Sequence, residues 1–137
     1  MTDYRQIVDT VNDLIAQIPD LIVKNDLGGL ERTKDALTCH SVALAELHGE
    51  SYSLYIQAKE CLECELANQY KKLRDAGEST MDARNDAKLE TIPLFQEVNK
   101  QKIRKMKAKG LAEKVKDTII SLACRLKNMK QEITYGR

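Results

Sequence analysis

Residues 30–47, LERTKDALTCHSVALAEL, carry the most regular apolar pattern in the chain. The pattern advances by alternating steps of three and four residues, through Leu30, Thr33, Leu37, His40, Leu44 and Leu47. Such steps keep one side chain per turn on a single face of an α-helix, as in a coiled-coil seam. The stretch therefore predicts a long helix with one narrow buried stripe.

Downstream of this stretch, the pattern continues after a change of phase at Gly49. The stripe resumes at Tyr55, passes through Cys61 or Leu62, and reaches Leu73. Gly77 then has the position of a glycine that ends a helix in a left-handed conformation. We therefore expect one long helix over residues 30–76, with Gly49 as a site where it can bend.

Upstream, residues 1–27 form an N-terminal helix region with its own amphipathic face. Pro19 is expected to kink or end the first helix, because proline removes a backbone donor and crowds the preceding turn. Gly28 and Gly29 follow, and two glycines cost a helix interior about 2 kcal/mol relative to alanines. The pair therefore predicts the break before the long helix.

The C-terminal third predicts two more helices. Ser79 is expected to cap a short helix over residues 79–90. Proline is tolerated in a first helical turn, so Pro93 predicts the start of a last helix over residues 92–134, ended by Gly136. Its apolar stripe consists of Val115, Ile119, Leu122, Leu126, Met129 and Ile133.

The predicted fold class is all-α, a single helical domain over residues 1–137. The two long segments match in length, which favours an elongated antiparallel helical hairpin or coiled-coil bundle with a short N-terminal helix. Each stripe is narrow, so a second copy is expected to complete the core and make the protein a homodimer. The predicted interface consists of Leu37, His40, Leu44, Leu47, Ile119, Leu122, Leu126 and Met129.

The apolar pattern and the N-terminal sequence favour a cytoplasmic location and no membrane partner. No apolar run approaches the length of a membrane span, and the N-terminus has no basic segment followed by an apolar one. We therefore expect a cytoplasmic protein. Disulfides are rare in a reducing cytoplasm, so the cysteines are expected to pack as small apolar residues. They are Cys39, Cys61, Cys64 and Cys124.

Charge is distributed unevenly along the chain. Residues 100–137 contain twelve basic and three acidic residues, a net charge of +9, whereas residues 1–99 contain ten basic and eighteen acidic ones, a net charge of −8. The densest part, here called the basic run, consists of Lys100, Lys102, Arg104, Lys105, Lys107 and Lys109.

The basic run has two main interpretations. The first is pairing within the fold, against the acidic stretch 60–97. The second is contact with a nucleic acid, because lysine and arginine displace counterions from phosphates. No aromatic residue is interleaved with the run, so contacts would be to the backbone and without sequence preference. An acidic protein partner and a purely solvated surface are the remaining alternatives.

Side chains that could carry chemistry are few. Cys61 and Cys64 form a CxxC pair, which could bind zinc with His40 and Cys39, but no second close-spaced ligand pair accompanies it. Core packing is the favoured interpretation, and His40 is favoured as a core or interface histidine. No nucleophile motif or phosphate-binding glycine loop occurs. We therefore predict no enzyme activity, no metal and no cofactor.

Four stretches carry a resemblance to a known family. They are LIAQIPDLIVKNDL (14–27), AKECLECELANQYKKLRDAGES (58–79), TMDARNDAKLET (80–91) and LACRLKNMKQEI (122–133). In this order they resemble small helical proteins from the replication and recombination modules of phages and prophages of Gram-positive bacteria. The turn over residues 73–80 matches the turn before the family's short helix, whereas residues 100–110 are more basic.

The resemblance implies an accessory or scaffolding role beside phage single-strand-binding or annealing proteins, with no catalytic residues to transfer. We therefore expect a non-enzymatic helical interaction protein that supports phage DNA replication or recombination. One alternative is a generic coiled-coil structural or interaction protein. Another is a nucleic-acid-binding protein without sequence preference, acting through residues 100–116.

Overall fold

The computed structural model describes residues 3–135, which form four α-helices and no strand. They are α1 (Tyr4–Val23), α2 (Leu27–Asp75), α3 (Thr80–Glu90) and α4 (Ile92–Tyr135). The all-α prediction is confirmed. Gly136, the residue expected to end the last helix, lies outside the described residues.

The first helix continues through Pro19 to Val23, so the prediction that Pro19 could end it is wrong. Apolar side chains on both sides of the proline, including Ile18 and Leu21, pack against a hydrophobic core. This packing offsets the hydrogen bond that proline cannot donate. The chain turns only after Val23, where Asn25 has a φ of 50°.

The two glycines lie inside the first turn of α2, so the break predicted at Gly28 and Gly29 is also wrong. Asp26 caps this turn, because its Oδ1 accepts a hydrogen bond from the Gly29 N–H at 2.9 Å. A Cβ on Gly29 would lie 2.5 Å from Asp26 Oδ2 and 2.8 Å from Leu21 Cδ2. Glycine at this position therefore allows a close approach to the capping aspartate.

The end of α2 has a glycine in the left-handed conformation, as the sequence predicted. Gly77 has a φ of 97°. Its N–H donates to the Arg74 carbonyl at 3.0 Å, and the Glu78 N–H donates to the Leu73 carbonyl at 3.1 Å. These two bonds are those of a Schellman motif, which satisfies the last carbonyls of a helix. Ser79 then caps α3 by accepting from the Asp82 N–H at 3.2 Å, as predicted.

The helices contribute to two compact units. The first unit contains the residues up to His48 and those from Ala108 onward, and the second runs from Gly49 to Lys107. α2 and α4 each contribute to both units. The expectation of a single domain remains a prediction, since two units that share their helices do not decide it.

The first unit buries most of the large apolar side chains that are fully buried. Its core takes residues from α1, from the beginning of α2 and from the part of α4 that begins at Ala108. The buried set is Ile7, Val11, Leu30, Leu37, Leu44, Leu47, Ala108, Val115, Leu122 and Leu126. Burial of such side chains is the main favourable term in folding.

The second unit buries mostly small side chains. Ala83 and Ala87 of α3 are buried, as are Leu62 of α2 and Val98 of α4. Thr91, between α3 and α4, is also buried, and its Oγ1 donates to the Ala87 carbonyl at 2.9 Å. Small residues let helices approach closely, but they remove little apolar surface from water.

Candidate interaction surface

The basic run lies on the surface of α4. Lys100, Lys102, Lys107 and Lys109 are exposed, whereas Arg104 and Lys105 are partly buried. Lys109 belongs to the first unit and the other five residues belong to the second. No acidic residue lies between Lys100 and Gly110, so the positive charge is not interrupted along this part of the helix.

The four exposed lysines make no ion pair within residues 3–135. Pairing with the acidic stretch 60–97 would bring lysine nitrogens within about 4 Å of carboxylate oxygens. No such contact occurs between these lysines and the described part of that stretch. Their charge therefore faces solvent, where a partner can reach it.

Lys105 makes a different contact. Its Nζ lies 4.4 Å from the centre of the Tyr55 ring and 5.7 Å from that of Tyr52. Both distances are within the range of a cation–π interaction. Sequence reasoning did not find these tyrosines as neighbours of the basic run, because they lie on α2. Only the alignment of α2 against α4 brings them together, and no local pattern encodes it.

Exposed apolar side chains accompany the basic run on the same helix. Ile92, Phe95, Ile103 and Met106 each keep 45% to 59% of their surface exposed. With exposed Asn99 between them, they fall within an arc of about 80° on α4, at about 100° per residue. We call these five residues the α4 stripe. All five side chains are exposed, whereas Val98 on the adjoining face is buried, so the stripe does not serve the core of the second unit.

The residues predicted to form a dimer interface lie in the first unit and pack within one chain. Five of them are buried in its core and two, Ile119 and Met129, pack against that core. His40 is half-buried. The five buried residues are Leu37, Leu44, Leu47, Leu122 and Leu126. Ile7 and Val11 of α1 belong to the same buried cluster, and the homodimer itself remains a prediction.

The cysteines are free and exposed, so the prediction that they pack in the core is wrong. The buried face of α2 passes through Leu62, which turns Cys61 and Cys64 outward. Within residues 3–135, no group of three or more histidine, cysteine, aspartate or glutamate side chains could hold a metal ion. The zinc alternative therefore lacks a ligand set in the described part of the chain.

One ion pair links two helices of the first unit. Lys130 Nζ of α4 lies 2.6 Å from Glu31 Oε1 of α2. The hydrogen bond and the charge of Lys130 lower the pKa of Glu31. Both side chains are about half exposed, so the pair contributes little stability. The pair shows that the turn of α2 around Glu31 lies beside the turn of α4 around Lys130.

A second carboxylate has a shifted pKa in the opposite direction. Partial burial raises the pKa of Glu78, and the carboxylates of Asp86 and Asp82 raise it further. Glu78 follows Gly77 at the end of α2, and both aspartates lie on α3. Nothing in this acidic group resembles a nucleophile with its base, so the raised pKa reflects burial first and the crowding of like charges second.

Comparison with protein families, curated proteins and solved structures finds no match for this chain. Among the helices of residues 3–135, none has both the length and the apolar content needed to cross a membrane. Within the second unit, the outer side of α4 over residues 92–107 has both exposed lysines and exposed apolar side chains.

Proposed function

We propose that this chain is a non-enzymatic helical interaction protein that supports phage DNA replication or recombination in the bacterial cytoplasm. The observation that carries the proposal is the outer surface of α4, where unpaired lysines and exposed apolar side chains occur together. Apolar side chains left exposed beside charged ones are typical of partner-binding surfaces. The phage setting comes from the family resemblance of residues 14–27, 58–91 and 122–133.

An elongated antiparallel hairpin that forms a homodimer is part of this proposal. It follows from the matched lengths of the two long helices and from their narrow stripes. Light scattering coupled to size-exclusion chromatography tests it. A compact monomer of 15.5 kDa would contradict both the elongated shape and the dimer.

Deletion of the encoding gene from its phage or prophage tests the accessory role. We expect fewer phage DNA copies, or fewer recombinants, per infected cell, with normal copy number restored by the unaltered gene. A variant with Lys100, Lys102, Lys107 and Lys109 all changed to Gln should restore it poorly. Normal DNA synthesis and recombination without the gene would contradict the proposal.

The second candidate function is direct binding of nucleic acid without sequence preference, through residues 100–116. The observation that favours it is the set of four exposed lysines without ion pairs. Tyr52, beside Lys105 and 51% exposed, adds an aromatic ring close to the basic run. A ring in this position could stack on a base of a single strand.

Fluorescence anisotropy of labelled single- and double-stranded DNA at several salt concentrations tests this candidate. If the four exposed lysines contact phosphates, changing all four to Gln should flatten the log–log salt dependence by roughly 3, at about 0.7 to 0.9 per contact. The control removes the same charge elsewhere by changing Lys59, Lys71, Lys72 and Lys88 to Gln. No binding by the unaltered protein at low salt would exclude direct DNA binding.

A further inference from the structure

A second exposed stripe lies on α2 within the same unit. Its members are Leu54, Gln57, Cys61, Cys64 and Asn68, which recur at steps of three, four, three and four. All five are exposed, and they fall within an arc of about 80° at about 100° per residue. We call this set the α2 stripe. Its centre lies about 120° around the helix from buried Leu62.

The two stripes match in length and oppose in charge. Each runs over fourteen residue steps, which is about 21 Å of helix. Residues 92–107 contain five basic residues and one acidic residue, whereas residues 50–68 contain four acidic residues and one basic residue. Lys100 and Lys102 flank the α4 stripe on opposite sides, and Glu60 and Glu65 flank the α2 stripe in the same way.

The apolar content of the two stripes is also complementary. The α4 stripe presents large side chains, Phe95 and Ile103 among them, whereas the α2 stripe presents the smaller Cys61 and Cys64 at its centre. Large side chains of one helix fit between small ones of another in ridge-and-groove packing. Opposite charges at the flanks of a helix pair select the partner and its orientation.

One molecule cannot join its own two stripes. α2 and α4 are neighbours in the second unit, as the contact of Lys105 with Tyr55 shows. Lys105 lies about 120° around α4 from the centre of the α4 stripe, and Tyr55 lies about 140° around α2 from the centre of the α2 stripe. The stripes therefore face away from one another. A contact between unlike surfaces of two copies leaves one free stripe at each end, so it can add further copies.

We propose that the α4 stripe of one molecule binds the α2 stripe of a second copy, head to tail. The inference rests on the proposed function only in treating the chain as an interaction protein. It names the partner surface and the type of association. High salt should weaken the contact, because screening reduces attraction between the lysine and glutamate flanks. Contact through the apolar stripes alone would lack this dependence.

Two variants, each blocked on one surface, test the proposal. The first carries Phe95→Ser and Ile103→Ser, and the second carries Cys61→Lys. Sedimentation of the unaltered protein should give a mean mass that rises with concentration above 15.5 kDa. Each variant alone should lose this rise in mass with concentration. The two variants mixed should pair with each other, because one intact stripe of each kind remains.

The matched control changes two exposed isoleucines of α4 in the first unit, Ile120→Ser and Ile133→Ser. Both are 53% exposed, close to the exposure of Ile103, and this variant should associate like the unaltered protein. Circular dichroism of each variant checks that the helices remain folded. A substitution that prevents association only by misfolding the protein would also prevent the two variants from pairing with each other.

Thiol alkylation gives a readout that needs no substitution. In the associated state Cys61 and Cys64 should react more slowly with a maleimide, whereas Cys39 and Cys124 of the first unit should keep their rates. Mass spectrometry distinguishes the four sites. A mean mass that does not rise with concentration, a mixture of variants that does not pair, or alkylation of Cys61 and Cys64 that is no slower in the associated state would overturn the proposal. The effect of gene deletion on phage DNA synthesis does not depend on this contact. Failure of the head-to-tail contact is therefore distinguishable from failure of the proposed accessory role.

Discussion

Glu78 illustrates how one side chain can work against the fold that contains it. It lies directly after Gly77, whose positive φ turns the chain between α2 and α3. This turn brings the carboxylate close to Asp86 and Asp82 on α3. Asp82 is favourably placed in the first turn of its helix, where the helix dipole stabilises an acid. Glu78 has no such compensation, so its charged form is disfavoured.

A carboxyl group whose pKa is raised by folding stabilises the protein below its unfolded pKa and loses that contribution as pH rises through the folded pKa. Glu78→Gln should therefore raise the midpoint of urea unfolding at pH 7. The gain should shrink as the pH approaches 4. Glu63→Gln, on the exposed side of α2, is the control with the same chemical change. Equal midpoints for Glu78→Gln and the unaltered protein at pH 7 would contradict the argument.

At the scale of helices, the boundaries in the second half of the chain were easier to predict than the junction of α1 and α2. Ser79, Gly77 and Pro93 act through local backbone chemistry, so the ends of α2 and α3 and the start of α4 agree with the sequence within a residue or two. The errors came at Pro19, and at Gly28 and Gly29. The capping Asp26 and the neighbouring Leu21 require a small residue there, and that requirement is tertiary.

The phase of α2 after Gly49 is the clearest limit on prediction of the candidate surface. The sequence allowed either Cys61 or Leu62 on the buried face, since neighbouring residues lie only about 100° apart on a helix. Leu62 is buried and Cys61 is exposed. That choice moves both CxxC sulfurs from the core to the surface. The contact of Lys105 with Tyr55 was likewise beyond any local pattern.

The exposed apolar residues of α4 were not predicted because the sequence search used a single stripe per helix. Val98 and Ile103 are both β-branched and both fit a helix of period 3.6, yet only Val98 is buried. A second apolar face on a helix becomes visible only when its partner helices are known. Sequence reasoning identified the basic run but left open whether it pairs within the fold, and it did not identify the stripe beside it.

At the scale of the whole chain, apolar burial is unequal between the units. All ten residues of the main buried cluster belong to the first unit, whereas several buried residues of the second unit are alanine, serine or threonine. Since hydrophobic stabilisation scales with buried apolar area, the first unit should contribute most of the stability. Its centre includes Leu44, which is fully buried.

Leu44→Asp should therefore unfold the protein or lower its melting temperature severely. An unpaired carboxylate in an apolar core costs several kcal/mol, a large part of the roughly 5–15 kcal/mol that stabilises a typical domain. Val42→Asp makes a closely similar change two residues earlier on α2, at a side chain that is 63% exposed, and should leave the melt nearly unchanged. Thermal melts followed by circular dichroism compare the two variants. If Leu44→Asp melted like Val42→Asp, the core would not be organised around this turn of α2.

Leu122→Asp, on α4 and 3% exposed, should behave like Leu44→Asp, because both leucines belong to the same buried cluster.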